Sequence, residues 1–494
     1  MTNLFSQTPS QHVSSHHRAT LDALARAERG VYLGHDEHGW CFVPPEHSVM
    51  ILGPPRSGKT TALIIPNVLA SSGPVVSTST KPDVLDATAA ARSAVGRCLL
   101  FDPTGSIDRA GDLAPLRWSP LQSCDTWPGA LSMARSLVDV GSAAAGHGPA
   151  HSEGSHWTER AQALLAPLLH AAALEGAEMR TVLTWVDRHQ ALPAQQVLAG
   201  GPGRSTELAR NLLDGIVATD ERELSGIWST ASGSLTGFRS DRALAATTDP
   251  DFDPADFVRS SDTIYIAAPA HRQALVAPMV VGLIEDIRQA TYERSAERMR
   301  AHRREPPVLL ALDEVANIAP LPDLPSMVSE GGGQGLVIMA CLQDLSQARH
   351  RWSARADGFP SLFGTTVVLP GIGDVRTLEA LSALAGEEEL PSRTVSAGQT
   401  LTDRPFVDLV TGGRPQHGES VTTQWRRRLP VDVITRGTPG HAVAFDERNR
   451  PTWIPLAPSH VVEPWRSLRG LGHERRHDRR VPDITHHGGL DRDR

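Results

Sequence analysis

Short apolar runs alternate with helix-like segments over the first 101 residues of the chain. The predicted strands are Val31–Val43, Ser48–Leu52, Val75–Thr78 and Cys98–Phe101, and the predicted helices are Thr61–Ala70 and Asp83–Val95. Pro66 must kink or shorten the first of these helices. The second strand leads directly into a glycine-rich loop. This order predicts an α/β fold with a parallel sheet that carries helices on both faces.

The pattern changes near Ser123, where Ala- and Leu-rich sequence replaces the strand-like runs. Helical spacing extends from Trp127 to about Trp228, interrupted by glycine-rich stretches at Gly141–Gly154 and Gly200–Gly203. One apolar face recurs at intervals of three and four, at Trp157, Ala161, Leu164, Leu165 and Leu168. We interpret this region as an all-α domain inserted into the α/β core. The alternative is a set of helices that decorate the sheet.

Strand-like and helical segments return after residue 262. Thr263–Ala267, Val308–Leu312, Leu336–Cys341 and Thr365–Leu369 are predicted strands, with a helix over Ala274–Arg300 after the first. The predicted divisions are a polar N-terminal segment (1–30, with a helix over Thr20–Arg29), the first part of an α/β domain (31–122), the insert (123–229), the second part of the α/β domain (230–460) and a disordered tail (461–494).

Composition narrows the class of protein. A chain of 494 residues is too long for one compact core, and 40% hydrophobic with 21% charged residues suits a soluble globular protein. The net charge of −8 gives no global sign of nucleic-acid binding, but it leaves room for a locally basic channel. The four cysteines form no CxxC pair, which favours a reducing cytoplasm. The longest apolar runs, Ala161–Leu174 and Ala274–Ile284, are too short to predict a membrane span.

The glycine-rich loop fits the pattern G-x-x-x-x-G-K-[ST] at every fixed position. Its glycines let consecutive backbone N–H groups converge on phosphate oxygens, and the dipole of the following helix adds to this attraction. Lys59 is predicted to reach the β- and γ-phosphates, and the Thr60 hydroxyl to bind Mg²⁺. The predicted residues of the ATP site are Gly53, Pro54, Pro55, Arg56, Ser57, Gly58, Lys59, Thr60 and Thr61.

Polar side chains follow two later strands. Asp313 and Glu314 come directly after Val308–Leu312, and Gln343 comes after Leu336–Cys341. Asp313 is predicted to bind Mg²⁺ through a water, and Glu314 to polarise the attacking water as general base. Because ligands lie beyond the carboxyl ends of parallel strands, Gln343 is expected to point towards the γ-phosphate and to sense hydrolysis. The alternative for each strand is an ordinary polar turn.

Several segments together resemble the TraG/TraD type of conjugative coupling protein. They are GPPRSGKT, STKPDVLDATAAAR, the Phe101-Asp102-Pro103 strand end, His156-Trp157 with its helix, IWSTASGSLTGFRSDRALA, LLALDEVANIAPLPDLPSMVSEGGGQG and CLQDLSQARHRW. The similarity covers roughly residues 30–460 in the family's order. It implies a RecA-like P-loop motor domain with an all-α domain, assembled as a homo-hexamer around DNA. Lys59 and Thr60 match the phosphate loop, Asp313 and Glu314 the Walker B acids, and Gln343 the sensor glutamine.

Two departures from the family pattern matter. Members usually begin with transmembrane helices, so this chain is expected to be docked by a partner, to be a shortened form, or to work in the cytoplasm. Some members also carry an arginine before the sensor strand, where this chain has Gly331–Gly335. Replacement candidates for an arginine acting in trans are Arg239, Arg242, Arg349 and Arg351, each equally explained as a surface charge or an ion-pair partner. Lys81 is one of only two lysines, and the sequence names no role for it.

The leading hypothesis is therefore an ATP-hydrolysing motor that moves relaxase-bound single-stranded DNA to a type IV secretion channel. A HerA/FtsK-like DNA pump unconnected with secretion suits the same acids and strand order. A nucleotide-binding adaptor that recruits secretion substrates without hydrolysis is the hypothesis from a different class. The expected location is the cytoplasm, and the alternative is peripheral docking at the inner face of the membrane through partners.

Overall fold

The computed structural model describes residues 30–36, 39–107, 113–144, 152–201, 203–302, 305–396 and 418–469. The helix expected at Thr20–Arg29 lies outside these residues. The strands in chain order are β1 Tyr32–Asp36, β2 Gly39–Phe42, β3 Val49–Leu52, β4 Val75–Ser79, β5 Cys98–Phe101, β6 Ala114–Pro115, β7 Thr263–Ala267, β8 Val308–Leu312, β9 Leu336–Leu342, β10 Thr365–Val368, β11 Glu387–Ser396, β12 Gly418–Arg427, β13 His441–Phe445 and β14 Pro451–Pro455.

Ten of these strands form one sheet in the order β14-β13-β10-β3-β9-β8-β4-β7-β5-β6. Pairing is parallel from β10 through to β6, whereas β13 and β14 extend the sheet in antiparallel fashion. Strands β1 and β2 form one separate hairpin, and β11 and β12 form another. The predicted mostly parallel sheet with flanking helices is confirmed.

The sheet divides the buried core in two, because the side chains of its central strands point alternately to its two faces. Met50 and Leu52 of β3 belong to one buried cluster, and Val49 and Ile51 to the other. Because successive side chains of a strand point to opposite faces, a fully apolar strand buries both of its faces. This explains why these strands read as continuous apolar runs in the sequence.

The helices cover both faces of the sheet. In chain order they are α1 Ile65–Ala70, α2 Asp83–Arg92, α3 Trp127–Ala144, α4 Ser152–Glu175, α5 Met179–Asp187, α6 Leu192–Gly200, α7 Arg204–Val217, α8 Glu221–Ser234, α9 Asp241–Ala245, α10 Pro254–Phe257, α11 Gln273–Ala301, α12 Val315–Ile318, α13 Leu324–Gly331, α14 Leu345–Trp352, α15 Phe359–Leu362, α16 Val375–Leu384 and α17 Val431–Arg436. A π-helical segment, Thr60–Ile64, precedes α1, and Pro66 lies in the first turn of α1, where its missing N–H costs least.

Only helices and turns occur between β6 and β7 in the described residues. Their apolar side chains form one continuous cluster with a face of the sheet, and helix α11 packs along α3. The predicted helical character of this region is therefore present. Its division from the core as an all-α domain remains a prediction, because packing does not separate the two.

Some predicted boundaries are wrong. Helix α3 continues through Gly141, where a loop was expected. A Cβ at Gly141 would lie 2.5 Å from the Cα of Ser234, so glycine is needed here for the close contact between helices and not for a loop. Trp465 and Leu468, within the predicted disordered tail, are fully buried, and Trp465 packs against Tyr32. Residues 470–494 lie outside the described residues. Strands β11 to β14 were not predicted.

A buried carboxylate on α11 faces the start of the helical region. Asp286 accepts a 2.7 Å hydrogen bond from the indole N–H of Trp118. Helix α11 approaches that indole so closely that a Cβ at Gly282 would lie 2.7 Å from its ring. Burial raises the pKa of Asp286 from 3.8 to about 7, although the indole bond partly offsets the shift.

This shift gives the fold a pH dependence. A carboxyl whose pKa is raised on folding stabilises the protein at low pH, and this contribution is lost as the pH rises from about 4 through about 7. We expect Asp286→Asn to flatten the decline in the free energy of unfolding between pH 5 and pH 8, by an amount on the order of a few kcal/mol. Urea unfolding across that range measures it.

The exposed Asp357 provides the matched control. Asp357→Asn should leave the slope of stability against pH as it is in the parent protein. A decline in Asp286→Asn as steep as in the parent would contradict the assignment.

Candidate active site

The phosphate loop connects β3 to the π-helical segment. Gly53 N–H donates to the carbonyl of Leu342 at 3.1 Å, which ties the start of the loop to the end of β9. A Cβ at Gly53 would lie 2.8 Å from Ser57 Oγ and 2.9 Å from Leu369, so only glycine fits there. Gly58 has a φ of 100°, a left-handed conformation that also favours glycine. The two invariant glycines of the pattern are thus required by the backbone.

Lys59 is buried beneath this loop. Its ammonium donates to the carbonyls of Gly53, at 2.5 Å, and Pro54, at 3.0 Å. The side chain therefore lies across the loop, with its charge beside the backbone groups that would surround a phosphate. Of the other predicted loop residues, Pro55 and Arg56 are exposed, and the Thr61 hydroxyl donates to the Gly58 carbonyl at 3.3 Å.

Thr60 and Asp313 are brought together from opposite sides of β9. The Thr60 hydroxyl donates to the Asp313 carboxylate at 2.9 Å, and the Thr78 hydroxyl donates to the Asp313 backbone carbonyl at 2.9 Å. Burial raises the pKa of the Asp313 carboxyl, while the Thr60 hydrogen bond lowers it and the nearby charge of Glu314 raises it. The two predicted metal-binding side chains form one pair.

Glu314 has a left-handed backbone with φ 55° and ψ 47°, which is costly for a residue with a Cβ. Its carboxylate accepts a 3.2 Å hydrogen bond from the Asn317 side-chain amide. Asn317 was not predicted as a site residue. The signal was present in the sequence, because Asn317 lies three residues after Glu314, at the spacing that places neighbours on one helical turn.

Gln343 follows β9, the strand between β3 and β8. Adjacent strands are about 4.8 Å apart, so its backbone lies between the phosphate loop and the two acids. The backbone N–H of Gln343 donates to the Gln347 side chain at 2.9 Å, which ties this strand end to the first turn of α14. The position therefore agrees with the predicted sensor, whose role remains a prediction.

This arrangement fits a nucleoside triphosphate with Mg²⁺. The loop offers converging N–H groups and an ammonium, and the Thr60–Asp313 pair offers the oxygen ligands that Mg²⁺ prefers. The described residues contain no group of three or more His, Cys, Asp or Glu that could hold a metal ion by themselves. A metal here would accordingly share its coordination with phosphate oxygens, as Mg²⁺ usually does.

The arginines proposed to act in trans differ in their surroundings. Arg239 forms a two-point ion pair with Asp187, at 2.6 and 2.5 Å. Arg349 pairs with Asp374 at 2.9 Å. Arg351 donates to the Pro320 carbonyl at 3.2 Å, and burial lowers its pKa. These three arginines therefore each have a hydrogen-bond or ion-pair partner, whereas Arg242 is exposed. Lys81 is also exposed, beyond the end of β4.

Strands β3, β9 and β8 lie side by side, so the phosphate loop, Gln343 and the two acids meet at the carboxyl ends of strands in a mostly parallel sheet. This arrangement defines a RecA-like P-loop NTPase. Residues 5–404 match the family described as "Type IV secretory system Conjugative DNA transfer", and the chain belongs to this family. The resemblance seen in the sequence is confirmed. The protein is an ATPase of the conjugative DNA-transfer class.

Solved structures agree with this fold. The bacterial conjugative coupling protein TrwBdeltaN70, in an unbound form, has 16% sequence identity and a TM-score of 0.62, with 89% of this chain and 91% of that chain covered. The coupling protein TrwB in complex with ADP and Mg²⁺ has 16% identity and a TM-score of 0.61, with coverage of 94% and 98%. TrwB with the ATP analogue ADPNP has 16% identity and a TM-score of 0.60, with coverage of 89% and 92%.

No curated protein sequence matches the chain. Among the described helices, none is both long and apolar enough to span a membrane.

The Glu314–Asn317 contact yields a prediction about positioning. Asn317→Ala removes the amide that holds the carboxylate, so we expect kcat for ATP hydrolysis to fall by about tenfold while KM changes little. Steady-state ATPase assays measure both constants. Asn211→Ala, on the exposed side of α7, is the control and should change neither. An equal loss of kcat in both variants would exclude a positioning role.

Proposed function

We propose that this protein is an ATP-driven motor that moves single-stranded DNA, attached to a relaxase, towards a type IV secretion channel. The observation that carries the proposal is the assembled pair of Thr60 and Asp313 with Glu314 beside it. Family membership supplies DNA transfer as the process. The TrwB structures with ADP and Mg²⁺ and with ADPNP support the ligands.

Each residue of the site has a part in hydrolysis. Lys59 binds the β- and γ-phosphates, and the loop N–H groups orient them. Thr60 and Asp313 would hold Mg²⁺, which would supply positive charge to offset the charge of the phosphate oxygens. Glu314 accepts the proton of the attacking water, and Asn317 holds its carboxylate in place. Gln343 reports the state of the γ-phosphate to α14.

The working assembly that we propose is a homo-hexamer around the DNA strand. Such a ring would be placed at the inner face of the cell membrane by secretion components that act as partners. A net charge of −8 requires that basic side chains be concentrated where the strand passes.

The geometry of Glu314 weighs against the adaptor hypothesis. Its left-handed backbone costs about 1–2 kcal/mol, and a protein that only binds nucleotide has no use for a base held in that position. The HerA/FtsK-like alternative shares the same site chemistry. Family membership favours the secretion motor over that pump.

Two substitutions test hydrolysis. Lys59→Ala removes the phosphate-binding ammonium, and Glu314→Gln replaces the base by an amide of the same shape. We expect each to lower DNA-stimulated ATPase activity by a factor on the order of 10² or more, because transition-state interactions are lost. Phosphate release with and without single-stranded DNA, in samples of known oligomeric state, measures the effect.

The two variants should differ in binding. Glu314→Gln should keep its affinity for ATP, whereas Lys59→Ala should lose much of it. If the parent protein hydrolysed ATP at a rate that neither DNA nor oligomerisation changed, the motor proposal would be rejected. Full activity of Glu314→Gln would exclude Glu314 as the base.

A further inference from the structure

The end of the described chain lies against the helical segment that begins at the phosphate loop. We call residues 456–469, which follow β14, the C-terminal strap. Ser459 of the strap is fully buried, and its backbone N–H donates to the carbonyl of Thr61 at 2.8 Å. Thr61 belongs to the π-helical segment and directly follows Thr60, the predicted magnesium ligand. The strap therefore reaches the backbone of the nucleotide site.

The Thr61 carbonyl needs this partner because of Pro66. In an α-helix it would accept the N–H of Ile65, but that N–H donates to the Thr60 carbonyl in the π-helical register. The next donor in this register would be residue 66, and proline has no N–H. Since a backbone carbonyl inside a protein is costly to leave unpaired, another donor is required. Ser459 supplies it.

A second set of contacts holds the strap against the same helix. Trp465 packs on Tyr32, with ring centroids 5.1 Å apart. The Tyr32 backbone forms two hydrogen bonds with the Asn67 side chain of α1, in which its N–H donates at 2.7 Å and its carbonyl accepts at 2.8 Å. The Asn67 amide also donates to the Leu63 carbonyl at 2.8 Å. The strap thus holds the helix at two levels, directly at Thr61 and through Tyr32 at Asn67.

Thr61 connects the strap to the phosphate loop. Its hydroxyl donates to the carbonyl of Gly58 at 3.3 Å, and the N–H of Ala62 donates to the same carbonyl at 2.9 Å. Gly58 is the loop glycine with a φ of 100°. The backbone of Thr60 is therefore held on both sides, while its hydroxyl donates to Asp313.

We propose that the C-terminal strap is a positioning element of the nucleotide site. Its Ser459 N–H sets the register of the π-helical segment and thereby places the Thr60 hydroxyl that would hold Mg²⁺. The proposal rests on the magnesium site of the proposed function. It accounts for a π-helical register directly after the phosphate loop, a feature often found at functional sites. Loss of a partner that orients a metal ligand typically lowers metal affinity by roughly 10- to 100-fold.

Two substitutions at one position separate the N–H from the hydroxyl. Ser459→Pro removes the N–H. The N–H of Val461 donates to the Pro458 carbonyl at 2.9 Å, so residue 459 is the second residue of a turn, a position that favours proline. Ser459→Ala is the matched control, because it keeps the N–H and removes the hydroxyl, which accepts a 3.3 Å bond from Arg469.

The quantity to measure is the factor by which Mg²⁺ raises the affinity for ADP. Titration with a fluorescent ADP analogue, in Mg²⁺ and in EDTA, gives it without any hydrolysis. We expect this factor to fall by about tenfold in Ser459→Pro and to stay at the parent value in Ser459→Ala.

Pro66→Ala provides a rescue. With an N–H at residue 66, the Thr61 carbonyl can find a donor within its own helix, so the donor from the strap is no longer needed. We expect the double variant Pro66→Ala/Ser459→Pro to recover most of the Mg²⁺ factor, and Pro66→Ala alone to match the parent protein.

Four results would contradict these expectations. A lower melting temperature of Ser459→Pro with an unchanged Mg²⁺ factor would overturn the proposal, because the strap would then only stabilise the fold. An equal loss in Ser459→Ala would overturn it as well and assign the effect to the hydroxyl. A double variant as impaired as Ser459→Pro, in binding or in folding, would do the same. A parent protein whose ADP affinity did not respond to Mg²⁺ would reject the magnesium site of the proposed function, and this inference with it.

Discussion

The hydrogen bond between the Thr60 hydroxyl and the Asp313 carboxylate joins two residues that are 253 positions apart in the chain. It forms only because β3 and β8 flank β9 in parallel register, so that all three strands end at one edge. A slip of one residue in either pairing would turn the apolar side chains to the wrong faces. The two buried cores therefore fix the register, and the register fixes the site.

The same edge connects the site to the helical region. Residues 319–323, just after the acids, are held from one side by α14, whose Trp352 indole donates to the Leu321 carbonyl at 2.8 Å. From the other side, Arg135 of α3 pairs with Asp323 at 3.3 Å. The chain that leaves the acids thus contacts both the helix that follows Gln343 and the first long helix of the helical region.

Prediction from the sequence succeeded where local patterns decide the structure. Strands Cys98–Phe101, Thr263–Ala267 and Val308–Leu312 have the predicted bounds, because uninterrupted apolar runs are distinctive of strands that are buried on both faces. The edge strand β14 was missed because its polar and apolar residues mix, with Thr452 and Trp453 exposed beside the buried Ile454. Strand β13 was missed although four of its five residues are buried. Gly141 was misread as a loop because its use as a helix contact depends on Ser234, 93 residues later. The predicted site residues were recognisable, and the spacing of Asn317 from Glu314 was readable too, but the αL backbone of Glu314 is a property of the fold.

Glu314 shows how strain and chemistry are combined in this site. An αL residue with a side chain relaxes unless its surroundings over-determine it. Here the strand β8 is paired on both sides, the Thr78 hydroxyl holds the carbonyl of Asp313, and Asn317 holds the carboxylate. The reversal of backbone direction directs Asp313 to Thr60 and starts α12 at the next residue. One strained residue therefore gives two adjacent carboxylates two different surroundings, one buried against a hydroxyl and one held by an amide. This difference suits the proposed division into a metal-binding acid and a general base.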